Sequence, residues 1–99
     1  EMKSRVLLVR DEAQSEAEEI KEWYELRSPG LGDRFTDALE VTYLHIRDLP
    51  FYQVRKEIYR YAQIEGFPYY RVVYTVDEVT ITVYQIRHTS RKPSRKFGP

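Results

Sequence analysis

Tyr69-Tyr70-Arg71-Val72-Val73-Tyr74-Thr75-Val76, then Asp77-Glu78, then Val79-Thr80-Ile81-Thr82-Val83-Tyr84-Gln85-Ile86-Arg87 is the stretch that decides the fold. β-branched and aromatic residues fill both runs, and only two acidic residues separate them, which reads as an antiparallel hairpin. Upstream, Glu57 to Ile64 has the same period of two and joins through Glu65-Gly66-Phe67-Pro68, so the spacing predicts a three-stranded antiparallel meander. Before Pro50 the period is 3.6. Ala13, Ala17, Ile20, Trp23 and Tyr24 make one apolar stripe on a helix that Asp11 can cap. Leu31, Phe35, Ala38, Leu39, Thr42, Ile46 and Leu49 make another, on a helix from about Asp33 to Arg47 that Pro50 closes. Between them Ser28-Pro29-Gly30-Leu31-Gly32 breaks the helical pattern, giving an antiparallel helical hairpin. Ser4 to Val9 is a short first strand. The class is α+β, with an N-terminal strand, a helical hairpin and a meander, the helices covering one sheet face.

With 99 residues the chain has room for a single domain and one modest core. Its longest aliphatic run, Val6 to Val9, falls far short of the roughly 20 residues of a membrane span, so neither a transmembrane helix nor a signal peptide is expected. Glu1 ahead of Met2 reads as an addition before a native start. Without cysteine there are no disulfides or thiolate metal sites, which suits a cytoplasmic location. No phosphate-cradling glycine loop, metal-binding histidine pair or serine triad is recognisable, and neither metal nor cofactor is expected.

Charge is distributed unevenly although the whole is neutral. Residues 1–50 hold twelve Asp and Glu against seven Lys and Arg, a balance of −5, while residues 51–99 hold nine bases against four acids, +5. The last thirteen residues contain Arg87, Arg91, Lys92, Arg95 and Lys96 and no acid. A cationic end of this kind attracts phosphates or other polyanions without a deep pocket. The alternative is an acidic helical layer and a basic sheet, each simply solvated.

Seven of the nine tyrosines lie between Tyr52 and Tyr84, interleaved with arginines. Alternation puts Tyr59 and Tyr61 on one side of a strand with Arg60 on the other, and sets Tyr70, Val72 and Tyr74 against Arg71. The expectation is an aromatic face on the helices and an opposite face gathering Arg60, Arg71 and Arg87, where like charges side by side favour a bound anion. Core filling is the plainer reading of the tyrosines, and solvation that of the arginines. His88 ends the last strand beside Arg87, and Arg87 and Arg91 would favour its neutral, proton-accepting form. His45 reads as an ordinary helix-surface residue.

Taken together, Ser28-Pro29-Gly30-Leu31-Gly32-Asp33-Arg34-Phe35, Phe67-Pro68-Tyr69-Tyr70-Arg71-Val72-Val73-Tyr74 and His88-x-x-Arg91-x-Pro93 resemble the RelE/ParE superfamily of bacterial toxins, in the expected order over nearly the whole chain. The turn, the Phe-Pro-Tyr segment and the His-x-x-Arg-x-Pro ending are closer to the ParE-type branch than to the ribosome-dependent nucleases. The resemblance implies the toxin of a type II toxin-antitoxin module, a plasmid-stabilisation type of protein. Such toxins halt growth by poisoning DNA gyrase or by cutting mRNA on the ribosome, and a cognate antitoxin neutralises them. Arg71 matches the phosphate-stabilising arginine of the nuclease branch, Arg60 a basic position on the preceding strand, and His88 and Arg91 the basic strand end. Glu65-Gly66 stands where many ParE-type chains are basic, and Phe97 stands near the nuclease branch's catalytic tyrosine or histidine.

Three functions follow from the resemblance. A gyrase inhibitor would use Arg60, Arg71, Arg87, His88, Arg91, Lys92, Arg95 and Lys96 for binding alone. A nuclease would use Arg71 and Arg60 to stabilise charge on phosphorus and His88 to move the proton. A non-toxic antitoxin-binding module would keep only its partner surface, for which Trp23 and Tyr24 are candidates, with a core position as the alternative for the indole.

Overall fold

The computed structural model describes residues 5–51, 55–56 and 58–89. The chain runs β1 (Val6–Val9), α1 (Asp11–Arg27), α2 (Leu31–Asp48), β2 (Arg55–Lys56), β3 (Tyr59–Ile64), β4 (Phe67–Val76) and β5 (Thr80–His88). These strands form one sheet in the order β1-β5-β4-β3-β2. The meander is as the sequence predicts, and the first strand joins it parallel to β5, making the sheet mixed. Two-residue β2 is an addition, because so short a piece has no period to read.

Helix boundaries differ from the sequence expectation for identifiable reasons. Arg10, not Asp11, is the extended residue ahead of α1, and Asp11 and Glu12 lie in the first turn, where they complement the helix dipole. Helix α2 begins at Leu31, two residues early, because a carboxylate from α1 caps it. Glu25 accepts from the amides of Gly30 and Gly32, both at 2.9 Å. Gly30 enters the helix with φ +88°, a conformation that favours glycine. At the other end the Leu49 amide bonds the His45 carbonyl at 2.8 Å, and Pro50 follows.

The helices cover one side of the sheet. Phe35, Leu39 and Ile46 of α2 and Ala13 and Ile20 of α1 are buried with Ala62, Val72 and Ile86 of the strands. Tyr74, fully buried, donates its hydroxyl to the Pro50 carbonyl at 2.9 Å, tying the end of α2 to the middle of the sheet. Tyr24, Phe35, Phe67 and Tyr70 make an aromatic cluster at the hairpin end, with ring centroids 5.0–6.1 Å apart. Leu49, expected on the α2 stripe, is exposed beyond the helix end. Pro68, expected in a turn, lies within β4, and Glu65-Gly66 alone make the bend, Gly66 at φ +85°. Among the described residues, no helix is long and apolar enough to cross a membrane.

Strand β1 covers only part of β5. The chain leaves the sheet where the Arg10 amide bonds the Val83 carbonyl at 3.0 Å, so the outer edge of β5 runs on alone toward His88. Glu16 of α1 reaches this edge and accepts the Ile86 amide at 2.9 Å.

Candidate functional site

Cross-strand register fixes which side chains share a face. Ala62, Val72 and Ile86 face one another across three strands and are buried under the helices. The flanking row Gln63, Arg71 and Arg87 therefore turns to the open side, as does the row Tyr61, Val73 and Gln85. Arg71 and Arg87 are direct cross-strand partners. Arg71 also lays its guanidinium over the Tyr61 ring, 4.5 Å from the centroid. Tyr59 and Tyr84 meet edge to face at 5.7 Å, bridging across β4 on this same side. A register shift after Val73 inserts Tyr84 as an extra residue in β5 and makes that meeting possible.

This corrects the expected sorting of β3. Tyr59 and Tyr61 do share a side, but it is the side of Arg71, not the core. Arg60 is opposite Tyr74 on the helix side, where it donates to the Phe51 carbonyl at 3.4 Å and lies over the Phe51 ring at 5.0 Å. Ala62 and Ile64 share Arg60's parity, and this small, wholly apolar pair was the signal that could have assigned the faces.

His88 also faces the helix side. It lies opposite Tyr70, the two rings edge to face at 5.0 Å, and stacks with Tyr69 at 5.9 Å and 11°. Tyr70 and Tyr74, the neighbours of His88 and Arg60, are four positions apart on β4, roughly 13 Å at about 3.3 Å per residue. Arg60, Arg71 and His88 thus do not form one constellation: the sheet separates Arg71 from the other two, and its length separates those two from each other. Arg91, Lys92, Arg95 and Lys96 lie outside the described residues.

Trp23 is 46% exposed, not a core residue, with Arg27 over its ring at 4.2 Å. Its edge meets Tyr24 at 5.2 Å, and Tyr24 passes on into the aromatic cluster. Burial, with lesser contributions from the nearby Tyr70 and Tyr69 phenols, raises the pKa of Tyr24. The two helices leave a groove of about 220 Å³ between them, lined by Ala17, Lys21, Thr36, Leu39 and Tyr43 among others. The Tyr43 hydroxyl is buried without a hydrogen-bond partner, and burial pushes its pKa far up.

A family profile described as the ParE toxin of the type II toxin-antitoxin system parDE matches residues 7–93. Among solved structures, one titled "Chromosomal ParDE TA system from P. aeruginosa" is similar in fold, with TM-score 0.76 and 12% identity over 88% of this chain and 98% of that one. No curated protein matches the sequence.

Proposed function

The chain belongs to the ParE toxin family of type II toxin-antitoxin systems, and from that premise we propose that it arrests growth by inhibiting DNA gyrase and is neutralised by a cognate antitoxin. The observation carrying the gyrase reading is the pair of facing cations, Arg71 and Arg87, on an open sheet side, with the imidazole of His88 turned to the other side against Tyr70. Such a surface binds and holds, and the positive charge of Arg91, Lys92, Arg95 and Lys96 adds to the chain's attraction for an anionic target. The ribosome-dependent nuclease reading loses support because Arg60 and His88 face the helices. The antitoxin would lie along the helical hairpin, with Trp23 and Tyr24 as anchors at its turn end.

The test is purified gyrase on relaxed plasmid. Added toxin is expected to block supercoiling and leave cleaved DNA, and induction of the gene without its antitoxin should trigger an SOS response. Normal supercoiling together with codon-phased mRNA cuts would replace this reading with the nuclease one. Induction without growth arrest would leave an antitoxin-binding module.

A further inference from the structure

The groove between α1 and α2, about 220 Å³, is smaller than the roughly 300–1,000 Å³ of a small-molecule site and is on the scale of one side chain. Ala17 and Leu39 give it an apolar lining, and Glu18 and Glu40 stand beside them on opposite helices. Most polar groups of the lining are already engaged. The Gln14 amide donates to Glu18 at 3.3 Å, the Thr36 hydroxyl donates to the Gly32 carbonyl at 3.2 Å, and the Lys21 ammonium lies 3.7 Å from Asp33. Two groups are left over. Glu40 has no ion pair among the described residues, and the buried Tyr43 hydroxyl has no hydrogen-bond partner. Leu44, four positions after Glu40, and Val41, three before Leu44, share this side of α2 and are 48% and 45% exposed.

We propose that this groove receives a lysine or arginine side chain of the antitoxin, its cationic head donating to the Tyr43 hydroxyl and paired with Glu40, while apolar neighbours of that residue cover Val41 and Leu44. The inference rests on the antitoxin proposed above and names the chemistry of its contact. An alkyl stem suits the Ala17 and Leu39 lining, and a donor head supplies what the Tyr43 oxygen lacks. An apolar occupant would leave Tyr43 and Glu40 unpaired. An acidic one would meet Glu18 and Glu40 in a helical layer already rich in carboxylates. The groove therefore selects for charge as well as fit: a helix with a base set among its apolar residues is a better partner than one that is merely apolar on one face.

The experiment is calorimetric titration of the full chain with its cognate antitoxin, purified from the co-expressed complex. Glu40→Gln should weaken binding about tenfold and reduce its dependence on salt, while Glu78→Gln, in the turn between β4 and β5, changes neither. Tyr43→Phe should raise the melting temperature of the free chain yet weaken the complex about fivefold, a split in sign that a purely structural role does not give. One antitoxin lysine or arginine, replaced by alanine, should cost about tenfold against the unaltered chain and under about threefold against Glu40→Gln. Unchanged affinity in either Glu40→Gln or Tyr43→Phe overturns the inference, as does the absence of any basic antitoxin residue coupled to Glu40. Hydrogen exchange of the complex separates two kinds of failure. Protection along α1 and α2 with unchanged affinity in those variants overturns the inference alone, and unprotected helices overturn it together with the placement of the antitoxin on the hairpin.

Discussion

Gly32 of α2 lies tight against α1, and a methyl group there would lie 2.6 Å from the Lys21 carbonyl oxygen and 2.9 Å from a Glu25 carboxylate oxygen. Backbone cannot yield as a side-chain tip can, so Gly32→Ala should cost about 1–3 kcal/mol, read as a lower melting temperature with secondary structure retained. Tyr43 predicts the opposite sign. Its buried hydroxyl has no partner, so Tyr43→Phe should raise stability by about 1 kcal/mol in chemical denaturation. The same residue sets an alkaline limit. With its pKa raised from the ordinary 10.0, the folded chain keeps a proton that the unfolded chain releases. The stabilisation is therefore complete below about pH 10 and declines above it, and Tyr43→Phe should flatten that decline.

At the scale of elements, Glu16 and Glu25 show α1 supplying what its neighbours lack. Glu25 caps α2, and Glu16 occupies the Ile86 amide of β5, beyond the reach of β1. Glu16→Ala should leave the Ile86 amide without its partner and cost about 1–2 kcal/mol, with faster hydrogen exchange at Ile86 than at Val72 as the specific sign. Neither carboxylate was legible in the sequence, because they act across 5 to 70 positions and nothing in a local pattern marks such a pairing. What was legible is what local period determines: both helices, all three meander strands, and the break at Pro29-Gly30. The faces of β3 were misassigned for a related reason. Alternation says which residues share a side, but only register against β4 says which side is covered, and Tyr59 and Tyr61 look like core until Ala62 is set opposite Val72.

Over the whole molecule the two helices carry eleven Asp and Glu against four Lys and Arg, while the strands of the sheet carry no acid. The acidic half noted in the sequence is thus largely the helical layer, which repels polyanions, while Arg55, Lys56, Arg60, Arg71 and Arg87 of the basic half lie in strands, which attract them. An antitoxin segment on the hairpin should accordingly be apolar or basic where it crosses α1 and α2. Trp23→Ala should weaken antitoxin binding by about tenfold or more while leaving the melting temperature nearly unchanged, since the indole is largely outside the core. Equal affinity in that variant would move the contact elsewhere. The candidate cations Arg71 and Arg87 could be read from the sequence, but their separation from Arg60 and His88 could not, since it depends on long-range register. That same register pairs Val6 with Thr80, so the opening segment waits for a partner 74 positions later. A nascent chain leaving the ribosome can therefore close its sheet only after Thr80 to His88 have emerged, and fragments from interrupted synthesis that lack β5 would have neither a seam for β1 nor the Arg71–Arg87 pair on which the proposed toxic surface depends.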